Sequence, residues 1–410
     1  MNQMTPNNIP QGYKATALGI IPQEWEVMRL GDIVSITSGE SPSLYHLKAE
    51  GKYPYVKVED LNNCEKYQES SREYSDDNNT TIKAGSIIFP KRGASILNNK
   101  VRIAAKDIQM DSNMMAITPH TAIVDTEFLY IRILHERLYR IADTSSIPQI
   151  NNKHIIPYKI AVPPLAEQRK IAEVLGVWDE AIEKQARLIE KLALRKRALM
   201  QRLLSAKLRL PGFSEPWKTL HIADFAFEIN SRNKSNSPYE VLSCTKYEGL
   251  VSSLKYFGKQ IYSDDLSTYK IVPKNRFAYA TNHIEEGSIG YQSKYDQALI
   301  SPMYTVFGTN PSLINDAFLY KLLKTQKLIY LYKSRMEGSI DRRGGLRWND
   351  FASIKIALPS IEEQTAIAEV LTAADREIEL AKEKLERLRR QKRGLMQQLL
   401  TGKKRVKYGN

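Results

Sequence analysis

The side chains best placed to do chemistry in this 410-residue chain are polar groups on turns, and what they can do is donate and accept hydrogen bonds. Lys91 and Arg92 follow the run Ile87-Ile88-Phe89-Pro90 and precede Gly93, so both should project from a turn at a strand end. A guanidinium is a rigid two-pronged donor that matches a guanine edge, and an ammonium is a mobile donor to base or phosphate; both also occur as plain solvated turn residues. Asn98, Asn99, Lys100 and Arg102 continue the same polar stretch. Asparagine can pair two-pronged with adenine, and it also simply makes turns. Gln149, Asn151 and Asn152 occupy a later polar loop. In the second half, Asn282 and His283 are placed to read bases or to cap a turn. Arg335, Arg342, Arg343 and Arg347 surround Gly338, Gly344 and Gly345, a basic loop suited to phosphate.

Groups for bond making are not assembled by the sequence. Six histidines and two cysteines are scattered, and no metal-ligand spacing is evident. There is no G-x-x-x-x-G-K-[ST] phosphate loop, no N-P-P-[YF] element, no H-E-x-x-H and no acidic nuclease cluster. The expectation is a chain with no catalytic residue, no metal and no cofactor of its own. Cys64 and Cys244 argue against a disulfide scaffold, and no apolar run reaches about 18 residues, so a cytoplasmic protein with no membrane partner is expected.

The formal charge of +14 makes a polyanion a sensible partner. Its distribution is uneven. Arg187–Arg209 holds eight Lys/Arg against one Glu, and Lys384–Asn410 holds ten against one. These two stretches exceed the total, so the rest of the chain is slightly acidic and any polyanion contact there must come from local loops.

Elements must hold those loops in place, and the sequence repeats them. Ile160–Lys207 and Ile356–Lys403, 196 residues apart, share 23 of 48 positions without a gap. IPQEWEVMRLGDI from Ile21 is echoed by PGFSEPWKTLHIADF from Pro211, and FLYIRIL from Phe128 by FLYKLLK from Phe318. Short β-branched or aromatic runs predict strands at Tyr53–Val58, Thr81–Phe89, Met114–Thr118, Ile156–Val162, Tyr239–Ser243, Arg276–Thr281, Met303–Phe307 and Ala352–Leu358. Apolar returns at three and four residues predict helix over Thr126–Ile141 and Ile314–Tyr332. The fold class is mixed α/β domains in tandem, separated and followed by long helices. The divisions read as 1–162 and 208–358 for the domains, 163–207 and 359–403 for the helical repeats, and 404–410 for a basic tail.

Pro163-Pro164 and Pro359-Ser360 open the repeated helices, and Glu167 and Glu362-Glu363 put negative charge near their N-termini. With room for a bend near Gly176, one heptad register fits both copies. Ile182, Ile189, Lys196 and Leu203 take position a, with Gln185, Leu192 and Leu199 at d; Ile378, Leu385, Lys392 and Leu399 repeat a, with Ala381, Leu388 and Leu395 at d. Each helix would run roughly 28 residues, about 42 Å. Acidic starts (Asp179, Glu180, Glu183; Asp375, Glu377, Glu379, Glu383) and basic ends predict an intramolecular antiparallel coiled coil. It would act as a ruler holding the domains near one duplex turn apart, about 34–36 Å. Lys196 and Lys392 at a positions either fix the register or snorkel outward.

The doubled motif P-P-L-A-E-Q-x-x-I-A-x-x-L (Pro163–Leu175) and P-S-I-E-E-Q-x-x-I-A-x-x-L (Pro359–Leu371) leads in each copy to L-M-Q-x-L-L (Leu199–Leu204, Leu395–Leu400). With I-P-x-x-W (Ile21–Trp25), G-S-I-I-F-P-K-R-G (Gly85–Gly93) and L-R-W-N-D-F (Leu346–Phe351), the chain resembles the specificity subunits of type I restriction-modification systems over nearly its whole length. The resemblance implies a DNA-binding chain whose two domains each read half of a bipartite double-stranded target. It implies helices that set the unread gap and dock two modification subunits, which bind S-adenosylmethionine and methylate adenine. Restriction and translocase subunits using ATP and Mg2+ would join for cleavage. The second domain departs from the pattern at Pro211–Trp217 and lacks K-R-G in Asn275–Ser288. Two other readings compete with this one: an assembly protein whose domains bind protein, and a nuclease with an unfamiliar centre.

Overall fold

The computed structural model describes residues 9–144, 147–337 and 345–407. The chain packs as two compact units, Met1–Ala186 with Lys384–Asn410, and Arg187–Glu383. Packing therefore divides each long helix between units, where the sequence divides the chain by element type.

In the first unit, a five-stranded sheet runs in the order Val34–Ser38, Met114–Pro119, Ile87–Pro90, Arg102–Ala104 and Tyr67–Gln68, antiparallel except for its last pair. Ile87–Pro90 is buried at every position because it has a core on each face. Ile87 and Phe89 join the main core with Trp25, Phe128 and Leu129, while Ile88 joins a second core with Val56, Ile108, Met110 and Met114. Side chains alternate across a strand, so a run without polar gaps is what two-sided burial requires. The second unit repeats this arrangement. Its four-stranded sheet is Ala226–Ile229, Tyr304–Thr309, Arg276–Ala280 and Ile289–Gln292. Phe277 and Tyr279 enter the main core, and Ala278 the smaller one on the other face. That main core is richer in rings; Phe277 stacks on Phe307 at 4.9 Å and Tyr279 meets Phe351 at 4.8 Å.

Several strands are shorter than the sequence predicts, Met114–Pro119 and Tyr304–Thr309 run slightly longer, Leu242–Thr245 is displaced from Tyr239–Ser243, and the differences are local. In place of Thr81–Phe89 the strand is Ile87–Pro90, because Gly85, at φ +81, turns the chain just before it. Ile156–Val162 starts just after the short helix Asn152–Ile155 and Ala352–Leu358 starts on the last residue of the helix Trp348–Ala352, so strand follows only at Lys159–Val162 and Lys355–Leu358. Thr126–Ile141 is two helices split at Arg137, whose φ is +64, and Ile314–Tyr332 is Asp316–Leu323 followed by Gln326–Glu337. A hairpin of Tyr13–Thr16 and Gly19–Pro22, absent from the sequence reading, precedes Trp25.

The long helices are Leu165–Leu203, 39 residues, and Ile361–Leu400, 40 residues. Both exceed the expected 28 because the E-Q motif already lies inside the helix. Gly176 causes no break. Each unit holds the start of one helix beside the end of the other, so the pairing is antiparallel. Ile171 and Leu175 pack in one core with Leu399 and Leu400; Ile367 and Leu371 pack in the other with Leu203 and Leu204. The residues assigned to the seam are buried to different degrees. Leu203, Ile378, Ala381, Leu385 and Leu399 are buried, and Ile182, Ile189, Leu192, Leu199, Leu388 and Leu395 are half-buried.

Ion pairs set the register. Lys392 pairs with Asp179 in the first unit, and Lys196 pairs with Asp375 in the second. These are the same two repeat positions exchanged, so the a-position lysines engage the acidic start of the opposite helix and do not snorkel away from it. Among the described residues no helix is long and apolar enough to cross a membrane.

Candidate nucleic-acid interface

Each unit carries a rim built from three backbone segments at one end of its sheet. In the first unit Lys91 leaves the central strand and its N–H donates to the Asn113 carbonyl at 2.8 Å. The Lys91 carbonyl accepts from the Ile150 N–H at 2.9 Å, and the Gly93 N–H donates to the Pro148 carbonyl at 2.9 Å. Arg92 thus lies across from Gln149 as an isolated bridge pair. In the second unit the Thr281 carbonyl accepts from the Leu346 N–H at 2.7 Å, and the Thr281 hydroxyl donates to the Met303 carbonyl at 2.9 Å. Gly345 permits this approach; a Cβ there would lie 2.1 Å from the Thr281 carbonyl oxygen. Lys91-Arg92, Asn113 and Gln149 in one unit thus match Thr281-Asn282, Met303 and Gly345 in the other.

The structure brings some expected residues onto this rim and gives others internal work. Lys91, Arg92 and Gln149 share the first rim, Asn152 is exposed at the start of the short helix that follows it, and Asn98 is exposed on the loop beyond Gly93, followed by the half-buried Lys100. Burial, reinforced by the positive Arg92 beside it, holds the Lys91 ammonium below the usual lysine range, while Asp111 opposes the shift. A partly desolvated cation that has no ion pair among the described residues is a strong donor to an incoming anion. Asn99, at φ +51, donates to the Leu134 carbonyl at 3.0 Å and accepts from the Leu138 N–H at 2.9 Å, tying its loop to the helices behind. Arg102 points inward, donating to the carbonyls of Cys64 at 2.8 Å and Leu61 at 2.7 Å. Asn151 is the N-cap of the short helix Asn152–Ile155.

Asn282 and Arg347 are exposed on the second rim. Arg335 is folded back, donating to the Asp350 carbonyl at 2.8 Å and to the Ser353 hydroxyl. Arg342 and Arg343, with Gly338 and Gly344, lie outside the described residues. His283 faces Glu286 at 3.6 Å. One donor atom from each of His283, Glu285 and Glu286 lies within 4.8 Å of the others, which corrects the expectation that no ligand-type cluster forms. Such exposed acidic groupings arise without ions, and this one assigns none.

Sequence reasoning passed over the turn segments Asp111–Asn113 and Ser301–Met303, which complete the rims. The Met114 N–H donates to the Asp111 carbonyl at 2.8 Å, and the Tyr304 N–H to the Ser301 carbonyl at 3.0 Å, so both are tight turns. Asp-Ser-Asn and Ser-Pro were the available signals.

The repeated E-Q pair is the other feature whose role sequence reasoning understated. Glu167 is buried and accepts from the Trp25 indole at 2.9 Å and from Arg405 at 2.6 and 2.9 Å. Gln168 donates to the carbonyls of Ile123 at 2.9 Å and Pro163 at 2.8 Å, and accepts from the Asp125 N–H at 2.8 Å. Gln364 repeats this, donating to Leu313 and Pro359 carbonyls at 3.1 and 3.0 Å and accepting from the Asn315 N–H at 2.9 Å. Glu363 takes a two-pronged bond from Arg209 at 2.6 and 2.7 Å. These side chains lock each sheet to the start of its long helix.

A duplicated mixed α/β head joined to long paired helices, with a polar rim on each head, is the architecture of a two-headed recognition protein. The type I restriction modification DNA specificity domain matches residues 22–193 and again 215–390. The type I restriction enzyme MjaVIII specificity subunit of Methanocaldococcus jannaschii is 25% identical over 423 aligned positions, covering 95% of each chain. Among solved structures, a type I S subunit from M. genitalium superposes with a TM-score of 0.53 at 17% identity, over 92% of this chain and 96% of that one. The HsdS subunit from Thermoanaerobacter tengcongensis gives 0.54 at 16% identity, over 93% and 98%. The chain belongs to the type I restriction-modification specificity subunits. Its role is DNA-target recognition, and proteins of this family are non-catalytic.

Proposed function

We propose that each unit reads one half of a bipartite double-stranded DNA target through its rim, and that the paired helices set the unread gap and dock two modification subunits. Those subunits would bind S-adenosylmethionine and methylate adenine, and restriction and translocase subunits would add ATP-driven cleavage. The observation that carries this reading is the pair of matching rims: one backbone arrangement, held by the Ile150–Lys91 and Leu346–Thr281 hydrogen bonds, presents different side chains. Lys91, Arg92, Asn98, Gln149 and Asn152 offer donors and acceptors for one half-site, and Asn282 and Arg347 for the other. Base edges are distinguished by such patterns, whereas phosphates are not.

Genome-wide mapping of methylated adenines with and without this chain, in a host carrying the partner subunits, tests the reading. A two-part motif that disappears with the chain is expected. An unchanged pattern would sink it.

A further inference from the structure

The two units differ where the end of a long helix meets its head. In the first unit this place is plugged. The Leu400 carbonyl accepts from Arg132 at 2.6 Å, and that buried guanidinium pairs with Glu136 at 2.7 Å. Just beyond, Gly402 lies so close to the N-terminal hairpin that a Cβ would fall 2.3 Å from Pro22, and the Tyr13 hydroxyl donates to the Gly402 carbonyl at 2.9 Å.

In the second unit the same place is open. Leu204 and Ala206 occupy the repeat positions of Leu400 and Gly402, and Ala206 keeps the left-handed φ, +58, while carrying a Cβ. Leu322 and Gln326 stand in place of Arg132 and Glu136, and no hairpin precedes Trp217. The result is a cavity of 660 Å³ walled by Met200, Leu204, Ala206, Trp217, Leu322 and Leu328. Arg197, Lys207, Lys324, Lys327 and Lys355 also line it, and no Asp or Glu does. The Trp217 indole N–H has no acceptor among the described residues, whereas Trp25 donates to Glu167.

We propose that this cavity is a docking site for an apolar, acid-bearing segment of the modification subunit, which fills in the second unit the place that the chain's own hairpin fills in the first. Two features select that occupant. The matching place in the first unit is covered by polypeptide, and the cavity combines apolar walls with an all-basic lining, to which an acidic segment is complementary. The proposal rests on the functional reading above for the identity of the partner.

The test uses the full chain and its modification subunit, with affinity measured by calorimetry. Lys327→Glu with Lys355→Glu reverses two exposed charges, and about tenfold weaker binding with a shallower salt dependence is expected. Leu322→Arg with Gln326→Glu transplants the plug of the first unit and should weaken binding at least as much. A photoreactive p-benzoylphenylalanine replacing Gln201, at the cavity wall, should crosslink to an acidic, apolar stretch of the modification subunit. If the plug variant fails to fold, the charge reversal and the crosslink decide. Wild-type affinity in the charge-reversed chain, with crosslinks only inside the chain, overturns the docking site and leaves the functional reading standing. Loss of DNA binding without loss of subunit binding likewise overturns it. No complex at all between wild-type proteins overturns both.

Discussion

Glu167 and Glu363 occupy the same position in the repeat but bear different loads. Glu167 is buried and holds both the Trp25 indole and Arg405, which is 238 residues away. Glu363 is buried and holds Arg209, while the Trp217 indole finds no acceptor. Glu167→Gln removes the buried carboxylate while Arg405, 31% exposed, keeps Glu24 at 2.7 Å, so it is expected to cost about 1–2 kcal/mol. Glu363→Gln should cost less. Urea-unfolding midpoints of the two variants check this, and equal losses would contradict it. The sequence offers Glu167 only as a charge at a helix start, since nothing local reveals a partner so distant. At the rim, Lys91→Ala with Arg92→Ala should weaken specific duplex binding by about 1–3 kcal/mol, roughly 10- to 100-fold, against an unaltered preference at the other half-site. Competition binding with duplexes altered in one half at a time measures it; an equal loss on all duplexes would reduce these residues to phosphate contacts.

At the scale of elements, periodicity carried the reading where the pattern was long. The long helices of the two repeats were legible because apolar residues recur over several turns and the acidic and basic thirds are separated. Short elements were less so. The hairpin Tyr13–Pro22 and the helices Asn152–Ile155 and Trp348–Ala352 are each too brief to show a period, and tertiary hydrogen bonds fix them. Lys196 and Lys392 left two readings open until their aspartates were found on the opposite helix. Asp375 also pairs with Lys321 at 2.7 Å. Burial, the largest single influence, pushes its carboxyl up, but the two ammonium groups together hold it below the usual aspartate range. A folded-state value below the unfolded one gives stability that is present above the unfolded value, near 3.9, and lost as pH falls through the folded one. Asp375→Asn should therefore lower stability at neutral pH and flatten the acid limb below about pH 4. The effect should be at most about 1 kcal/mol, because the carboxylate is 38% exposed and screened. Melting temperatures from pH 2.5 to 7 follow it, and an unchanged acid limb would count against the pairing.

For the whole molecule, neither repeat owns a complete core. Leu399 and Leu400 close the core around Trp25 and Phe128, and Leu203 and Leu204 close the one around Phe277 and Phe318. A chain cut between Lys207 and Leu208 should give two pieces that are each poorly folded alone and recover cooperative unfolding when mixed. Two separately stable, monomeric pieces would refute this. Heads and helices also alternate in a cyclic order, because the hairpin residue Tyr13 is hydrogen-bonded to Gly402 near the opposite end of the chain. A circular permutant that starts at the second head and joins Gly402 to Tyr13 by a short linker should keep both rims, and under the proposed function the order of the two heads along the chain would then carry no information about which half-site either one reads.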